Sequence, residues 1–570
     1  MIRVGNASGF YGDRFEAWRE MLAGGDLDVL TGDYLAELTM LILGRDRARD
    51  PATGYAKTFL RQMEEALGLA VDRGVALVTN AGGLNPAGLA DALRRLAGRL
   101  GIEVAVGVVT GDDLTERAAA LGLGTPLTAN AYLGAFGIAE CLRAGANVVV
   151  TGRVTDASLA VGPAIAAFGW GREDYDALAG ATVAGHVIEC GAQATGGNFS
   201  FFTELPDGGR RPGFPIAEIH ADGSAVITKH PGTGGAVTAE TVTAQLLYEI
   251  DSPAYLGPDV VTHLDTVTLR SDGPDRVSIS GVRGSPPPPT VKVGVTTLGG
   301  FRNAMTFVLT GLDIPAKAAL VQAQLTEAVG PDGLEFRLAR TDHPDADTTE
   351  TASALLHVHL RDSDPARAGR GFSQAAVALA LASYPGCTLT SPPADATPYG
   401  VFTSAFLPQD SVEHVAVLPD GTRVPIPPPT AVDHEVVSGN AGRVREQPHD
   451  QPSWGGGGGA TRTAPLGRVV GARSGDKGGD ANLGVWARDD AGYAWLRGFL
   501  TVDALRRLLP ETAPLDIERY ELPNLRAINF VIRGLLGEGV AASTRFDPQA
   551  KALGELLRSR LVEIPVELLP

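Results

Sequence analysis

Five short apolar runs near the start of the chain each stop abruptly in a polar, glycine-containing segment. Ile2-Arg-Val-Gly5 runs into Asn6-Ala-Ser-Gly9, Leu27-Asp-Val-Leu-Thr31 into Gly32-Asp-Tyr34, and Val75-Ala-Leu-Val-Thr79 into Asn80-Ala-Gly-Gly83. Glu103 to Val109 runs into Thr110-Gly-Asp-Asp113, and Val148-Val-Val-Thr151 into Gly152-Arg-Val-Thr-Asp156. Apolar runs of this length, bounded by turn residues, read as buried strands. Between them apolar positions recur at helical spacing: Phe15, Trp18 and Leu22; Leu35, Leu38 and Ile42; Phe59, Met63 and Leu67; Leu89, Leu93, Leu96 and Leu100; Leu133, Phe136 and Leu142. Strand and helix alternating in this way predict parallel βαβ units. Asn85 before Pro86 marks a helix start, and Gly101 its end.

After Ser158 the alternation loosens. Helices are expected around 159–168 and 174–179, paired strands at 216–220 and 225–230 around the turn Ala221-Asp-Gly-Ser224, and a helix from about Thr238 to Glu249. Short antiparallel strands, including 277–282 and 291–295, fill 260–309; Pro286 to Pro289 between them form a rigid loop, since proline donates nothing to a ladder. Helix, strand and helix patterns return over 316–382. Gln447 to Pro465, with five glycines at 455–459, reads as a flexible linker. Beyond it, strands are expected near Val469 and at 481–487, 493–498, 528–532 and 540–544, with a helix capped by Thr501 and a last helix carrying Leu553, Leu556, Leu557 and Leu561.

The expected fold class is therefore α/β: an N-terminal parallel (Rossmann-like) sheet with helices on both faces over about 1–180, and a mixed α+β middle region over about 181–446. The linker at 447–465 leads to a small C-terminal α+β ferredoxin-like domain at 466–570.

Composition narrows the class. A 570-residue chain with 44% apolar residues can bury two or three cores. Its net charge of −18, without a basic stretch, argues against nucleic acid as a partner. No eighteen-residue apolar run and no leader pattern is present, so a cytoplasmic protein without a membrane partner is expected. Cys141, Cys190 and Cys387 are too scattered for a disulfide framework or a CxxC metal site. A homo-oligomer is expected, on the general ground that soluble metabolic proteins assemble symmetrically.

In an open α/β sheet the carboxyl ends of the strands line the ligand crevice, so the five loops should converge on one site. Asp33, Glu37, Asp112, Asp113 and Asp156 arise at three of those ends. Asp33 and Glu37, four apart, are expected on one helix face, and Asp112 and Asp113 are alternatively helix caps. Asp33 and Asp156 beside Arg153 form an acid/base pair, a Mg²⁺ site, or only a structural ion pair. Asn6, Asn80, Asn85 and Asn130 fall after strands or before helices, where amides either tie turns or orient a carbonyl or thioester.

The loop Gly5 to Gly12 matches neither GxGxxG nor the P-loop. Its amides near Ser8 and Gly9, at an expected helix start, suit a carboxylate or phosphate; otherwise Ser8 caps a tight turn. Gly82 and Gly83 join the substrate-binding candidates. His186, Glu189 and Cys190 are the most reactive-looking group away from the sheet, with His186 a proton carrier and Cys190 either a thiolate nucleophile or a small buried hydrophobe. Lys229-His-Pro-Gly-Thr-Gly-Gly235, with Gly232 and Gly234, offers positive charge and free amides to an anion, or is a structural turn. His357 and His359 share a strand face but lack a ligand trio, and no metal centre is expected from them. Ser474 to Asp480 is a glycine-rich loop that either docks the tail onto the crevice or simply turns.

The stretches Gly5 to Asp13, Leu30 to Glu37, Asn80 to Pro86, Thr151 to Asp156, Glu189 to Asn198 and Lys229 to Gly235 together resemble the acyclic terpene utilisation family AtuA. Arg473 to Asn482 resembles the ferredoxin-fold domain that accompanies it. The resemblance implies a place in pathways that degrade citronellol and geraniol through acyl-CoA intermediates, beside a biotin-dependent carboxylase, dehydrogenases and hydratases; it assigns no catalytic residue. The resulting expectation is an enzyme of acyclic terpenoid or branched-chain acyl-CoA catabolism, a lyase or hydratase. It would act on a small-molecule acyl-CoA, the CoA thioester being part of the substrate, or on a carboxylic acid. The expected catalytic set is Asp33, Arg153, Asp156, His186, Glu189 and Cys190. The alternatives are a thioesterase or transferase using Cys190, and a non-catalytic binding or assembly subunit of a carboxylase.

Overall fold

The computed structural model describes residues 1–429 and 460–570, so the five glycines of the expected linker lie outside the described residues. Its first strands are β1 (Ile2–Asn6), β2 (Val29–Gly32), β3 (Ala76–Thr79) and β4 (Val106–Thr110), each ending where its apolar run ends. β5 (Thr128–Ala131) leaves them to pair antiparallel with Val293–Thr296, and β6 (Val148–Thr151) returns between β3 and β4. The parallel strands thus run β1-β2-β3-β6-β4, whereas the dinucleotide-binding fold places its first strand centrally. β7 (Pro215–Ile219) pairs antiparallel with β1, and β8 (Ala225–Lys229) with β7, as the turn at 221–224 predicts. Among the described residues, further antiparallel strands extend this sheet to eleven.

Eight helices accompany these strands: α1 (Ala17–Gly24), α2 (Glu37–Arg49), α3 (Lys57–Arg73), α4 (Pro86–Leu100), α5 (Phe136–Arg143), α6 (Ser158–Phe168), α7 (Tyr175–Ile188) and α8 (Ala239–Leu246). Alternating strand residues face two apolar clusters. Leu30, Leu77, Val108 and Val150 meet Trp18, Phe59, Met63 and Leu93, while Val29, Val78, Val109 and Val149 meet Ile138, Ile165, Val183 and Val187. Asn85 accepts from Gly88 N at 2.9 Å with Pro86 in the first turn of α4, and Gly101 ends it in the left-handed region, so those boundaries are as expected.

The C-terminal strands Val470–Lys477, Asp480–Ala487, Ala527–Ile532 and Ile517–Leu522 form a four-stranded antiparallel sheet in that order. Three expectations here are corrected. Residues 493–498 lie in a helix, Asp490–Phe499: Asp489 accepts from Gly492 N at 2.7 Å, and Trp495 and Leu496 turn inward together, so a helical face outweighs the β-propensity of the aromatics. Residues 540–544 form no strand, following Gly534, Gly537 and Gly539 in the left-handed region. Thr461–Pro465, assigned to the linker, is a strand paired with Leu561–Pro565, where Leu561 was expected to be helical. The tail sheet is docked: Trp486, Leu522, Leu525 and Ala527 share an apolar cluster with Leu246 and Leu247 at the end of α8. All of these elements belong to one compact unit, Met1–Thr296, Phe402–Val540 and Gln549–Pro570.

The second unit, Thr297–Val401 with Ala541–Pro548, contains antiparallel strands and a core of Phe307, Leu309, Val321, Leu356, Val358 and Phe372. His357 and His359 lie on its strand Ser353–Asp362, and His357 Nδ1 is held by the Thr306 hydroxyl at 2.9 Å. No helix among the described residues is long and apolar enough to cross a membrane.

Candidate functional site

Hydrogen bonds tie the five strand-end loops together. Ser8 Oγ, after β1, donates to the Asp33 carbonyl at 2.8 Å, after β2. Asn80 Nδ2, after β3, donates to Asp33 Oδ1 at 2.6 Å, and Asn80 Oδ1 accepts from Tyr34 N at 2.8 Å. Arg153, after β6, donates through its side chain to the Leu35 carbonyl at 3.0 Å and through its backbone N–H to Asp112 Oδ2, after β4, at 2.7 Å. The buried loops satisfy their own polar groups, which is what holds five irregular segments in one place.

At this junction Arg153 reaches Asp156 at 2.5 Å and lies 4.2 Å from the Tyr132 ring centre. The other face of the cluster comes from the end of α7. His186 Nδ1 lies 3.0 Å from Glu189 Oε1, while Glu189 Oε2 is buried without a hydrogen-bond partner and His186 Nε2 without a well-formed one. Asn6 Nδ2 approaches the Glu189 carbonyl at 3.4 Å, linking α7 to the β1 loop. Gly9 packs so closely on this turn that a Cβ would stand 2.5 Å from the Cys190 carbonyl carbon, which explains the glycine. Gly82 is fixed likewise by the Thr151 carbonyl, and Gly83 by its left-handed φ.

Burial controls the electrostatics. Asp33 is pushed well above the usual carboxylate range by burial and then by Asp156, against the pull of Arg153. Burial, with Asp156 and Glu249 behind it, does the same to Glu189. Glu37 is pushed up by burial to about 7, although the Lys292 ammonium opposes this, and Asp112 is pushed by burial to about 7. His186 is pushed down to about 4 by burial and by Lys477, so near neutral pH it is an uncharged imidazole. Burial, then Glu189 and Glu249, raise the Cys190 thiol; its neighbours are carboxylates and Gln245, whereas His186 is bonded to Glu189. Neutral thiols are poor nucleophiles.

The tail completes the cluster. Lys477 Nζ donates to the Glu249 carbonyl at 2.7 Å, and Asn482 Oδ1 accepts from Glu249 N at 2.9 Å. Together they hold Glu249 at a φ of 57°, unusual for a residue with a side chain. Gly475 lies against Tyr248, with a Cβ position only 2.3 Å from the ring, and Arg473 stacks on that ring at 4.3 Å. Asp476 is pushed up to about 8 by burial and by Glu249 and Glu37. Of the two readings of the 474–480 loop, docking is the observed one.

Several sequence candidates sit elsewhere or act differently. Lys229 and His230 do not join the cluster: Lys229 Nζ is spent on the Thr233 carbonyl at 2.7 Å and Asp275 at 3.0 Å, and His230 Nε2 on the Met21 carbonyl at 2.9 Å. Gly232 and Gly234 follow them in that turn, whose Thr233 carbonyl accepts from Lys229. The Gly5–Gly12 loop does not open a helix, since α1 starts only at Ala17; Ser8 N is taken by Asn6 Oδ1 and Gly9 N by Asp13 Oδ2. Asp33 precedes α2 and is not on its face with Glu37. Asn85 caps α4, and Asn130 lies within β5, donating to Asp112 Oδ2 at 2.8 Å. Asp113, not Asp112, caps the turn at Thr115. Among the described residues no three His, Cys, Asp or Glu side chains are placed to hold a metal ion, and Asp156 is engaged by Arg153.

Lys292, Tyr248, Glu249, Arg473, Lys477 and Tyr255, whose ring centre lies 5.2 Å from that of His186, went unassigned as site residues from the sequence. Lys292 stood out only as a charge inside an apolar strand, Val291-Lys-Val293, and Arg473, Asp476 and Lys477 as charges in a glycine-rich loop. Tyr248, Glu249 and Tyr255 carry no local signal.

A search of curated proteins found no match. The family comparison did: residues 464–563 match the AtuA ferredoxin-like domain, and residues 2–418 match the acyclic terpene utilisation family protein AtuA. The first of these spans forms a small α+β unit and the second carries all five strand-end loops, so the chain belongs to the acyclic terpene utilisation family AtuA and carries its ferredoxin-like domain.

Proposed function

We propose that the chain is an enzyme of acyclic terpenoid or branched-chain acyl-CoA catabolism, a lyase or hydratase acting on an acyl-CoA or its carboxylated derivative. The observation that supports this most is the buried His186–Glu189 pair, set among acids and fixed cations: Glu189 Oε2 has no hydrogen-bond partner, and His186 Nε2 makes no well-formed hydrogen bond although the Leu246 backbone lies close to the ring. Buried polar atoms are nearly always satisfied, so unfilled ones in a charged cluster mark where a ligand's polar atoms go. In this reading the ends of the Rossmann-like parallel strands form the ligand crevice.

The chemistry follows from protonation states. With Nδ1 held by Glu189, neutral His186 takes a proton at Nε2 from a substrate hydroxyl or from water. In the reactive form Glu189 is a carboxylate made more basic by burial, so the proton on Nδ1 passes to it as Nε2 takes the new one. In a lyase step the carbon–carbon bond breaks as the hydroxyl loses that proton, and its electron pair moves onto the thioester carbonyl. Arg153 and Lys292 stand as positive charge for the developing enolate, and Asp33, whose burial favours the protonated carboxyl, returns a proton to carbon. In a hydratase step the same groups move the protons of water. Cys190 has no role in either.

Product analysis by mass spectrometry, with the full chain and branched acyl-CoA substrates, tests the reading. Cleavage or hydration products, lost in Asp33→Asn, are expected. Free CoA and intact acid as the sole products would favour the thioesterase, and no product with any thioester would favour the assembly subunit.

A further inference from the structure

Three cationic side chains are almost fully buried among the described residues: Arg153, Lys229 and Arg473. Arg153 is paired with Asp156 and Lys229 with Asp275. Arg473, 5% exposed, has no ion pair among the described residues, and its Nη2 is buried without a hydrogen-bond partner. It rests on the face of Tyr248, 4.3 Å from the ring centre. An ionised group taken out of water without a counter-charge is expensive, far beyond what a ring face returns. Arg473 also has fixed surroundings. Gly475, two residues on, is pressed against the same ring, and Lys477 is bonded to the Glu249 carbonyl, so the strand cannot swing the guanidinium out without undocking.

Tyr248, which carries this guanidinium on its ring, adjoins Glu249 in the chain and has Glu249 and Cys190 among its electrostatic neighbours. A planar fork of donors at that place is matched by a carboxylate, which takes two parallel N–H bonds. We infer that Arg473 is a carboxylate-binding residue of the same site, and that the substrate therefore carries a free carboxylate in addition to its acyl carbonyl. The inference rests on the proposed function for the identity of the site, and it narrows the two substrates named there to the carboxylated one. The ferredoxin-like domain thereby supplies the residue that recognises the second acidic group.

Thermal unfolding of the full chain with glutarate, its mono-amide and butyrate tests this without requiring turnover. Glutarate should raise the melting temperature of the wild type, and the mono-amide and butyrate much less. Arg473→Met should lose the glutarate shift while unliganded stability stays at or above the wild-type value, because an unpaired buried charge has gone. Arg473→Lys should retain part of the shift. With a carboxylated acyl-CoA, Arg473→Met should raise KM by about tenfold or more with little change in kcat, as loss of a charged hydrogen bond requires. A glutarate shift unchanged in Arg473→Met, no glutarate shift in the wild type, or a collapse of unliganded stability in Arg473→Met would each overturn the inference. An Arg473-dependent shift without turnover of any thioester would sink the proposed reaction and leave the carboxylate site standing.

Discussion

Lys477 and Glu249, 228 residues apart, are joined by a hydrogen bond of 2.7 Å from the lysine ammonium to the glutamate carbonyl. One belongs to the ferredoxin-like domain and the other to the segment after α8. Lys477 is also a principal charge felt by His186, so the protonation of a residue in the AtuA domain is set in part by the tail. Tail docking and site chemistry should fail together.

Gly475→Ala puts a methyl group 2.3 Å from Tyr248 Cε2, while Gly98, in α4, has nothing within 4 Å of its Cβ position. Gly475→Ala should therefore lower stability by about 1–3 kcal/mol as an overpacked contact and reduce turnover. Gly98→Ala should stabilise α4 by about 0.5–1 kcal/mol and leave turnover alone. Thermal unfolding and rate measurements on both proteins check this.

Asp33→Asn keeps the shape of the side chain in its contacts with Asn80 and Leu35 N but removes the transferable proton. Melting temperature should stay near the wild-type value while kcat falls by about 10²–10⁴-fold, the usual share of a positioned acid. A parallel loss of stability and rate would make Asp33 structural.

Cys190→Ala should leave turnover close to that of the wild type, since the thiol is kept neutral and has no imidazole partner. Complete loss of activity with the fold retained would return the thiolate to the centre of the mechanism.

Glu37 binds its proton more tightly in the folded state, up to about 7 against an ordinary 4.5. Its contribution to stability is complete below about pH 4.5 and is lost as pH rises through about 7. His186 works in the opposite sense: pushed from 6.5 down to about 4, its contribution is complete above 6.5 and is lost as pH falls through 4. Glu37→Gln should accordingly flatten the decline in stability between about pH 4.5 and 7, as read by chemical denaturation at each pH. An unchanged pH profile would show that Glu37 is not held in its neutral form.

The strands and their loops were legible because a buried parallel strand needs an unbroken apolar run and its end needs turn residues; Val148 to Asp156 shows both. His186 and Glu189 stood out together in the sequence, although their mutual hydrogen bond needed the helical turn at the end of α7. Lys229 and His230 misled because a basic pair before glycines looks the same whether it faces a ligand or its own turn. The partners that decided the matter, Thr233, Asp275 and Met21, include residues far away in the chain. The tail's share of the site was legible only as a glycine-rich loop. That Gly475 meets Tyr248 and Asn482 meets Glu249 is long-range packing, for which a single sequence carries no periodic signal.

The most direct measurement is product analysis of the purified full chain with a branched acyl-CoA and with its carboxylated derivative, alongside Asp33→Asn. Cleavage or hydration of the carboxylated thioester, abolished in Asp33→Asn, is the expected result. Intact substrate in every reaction, or release of free CoA that persists in Asp33→Asn, would contradict an acid/base site built from the strand-end loops, α7 and the tail.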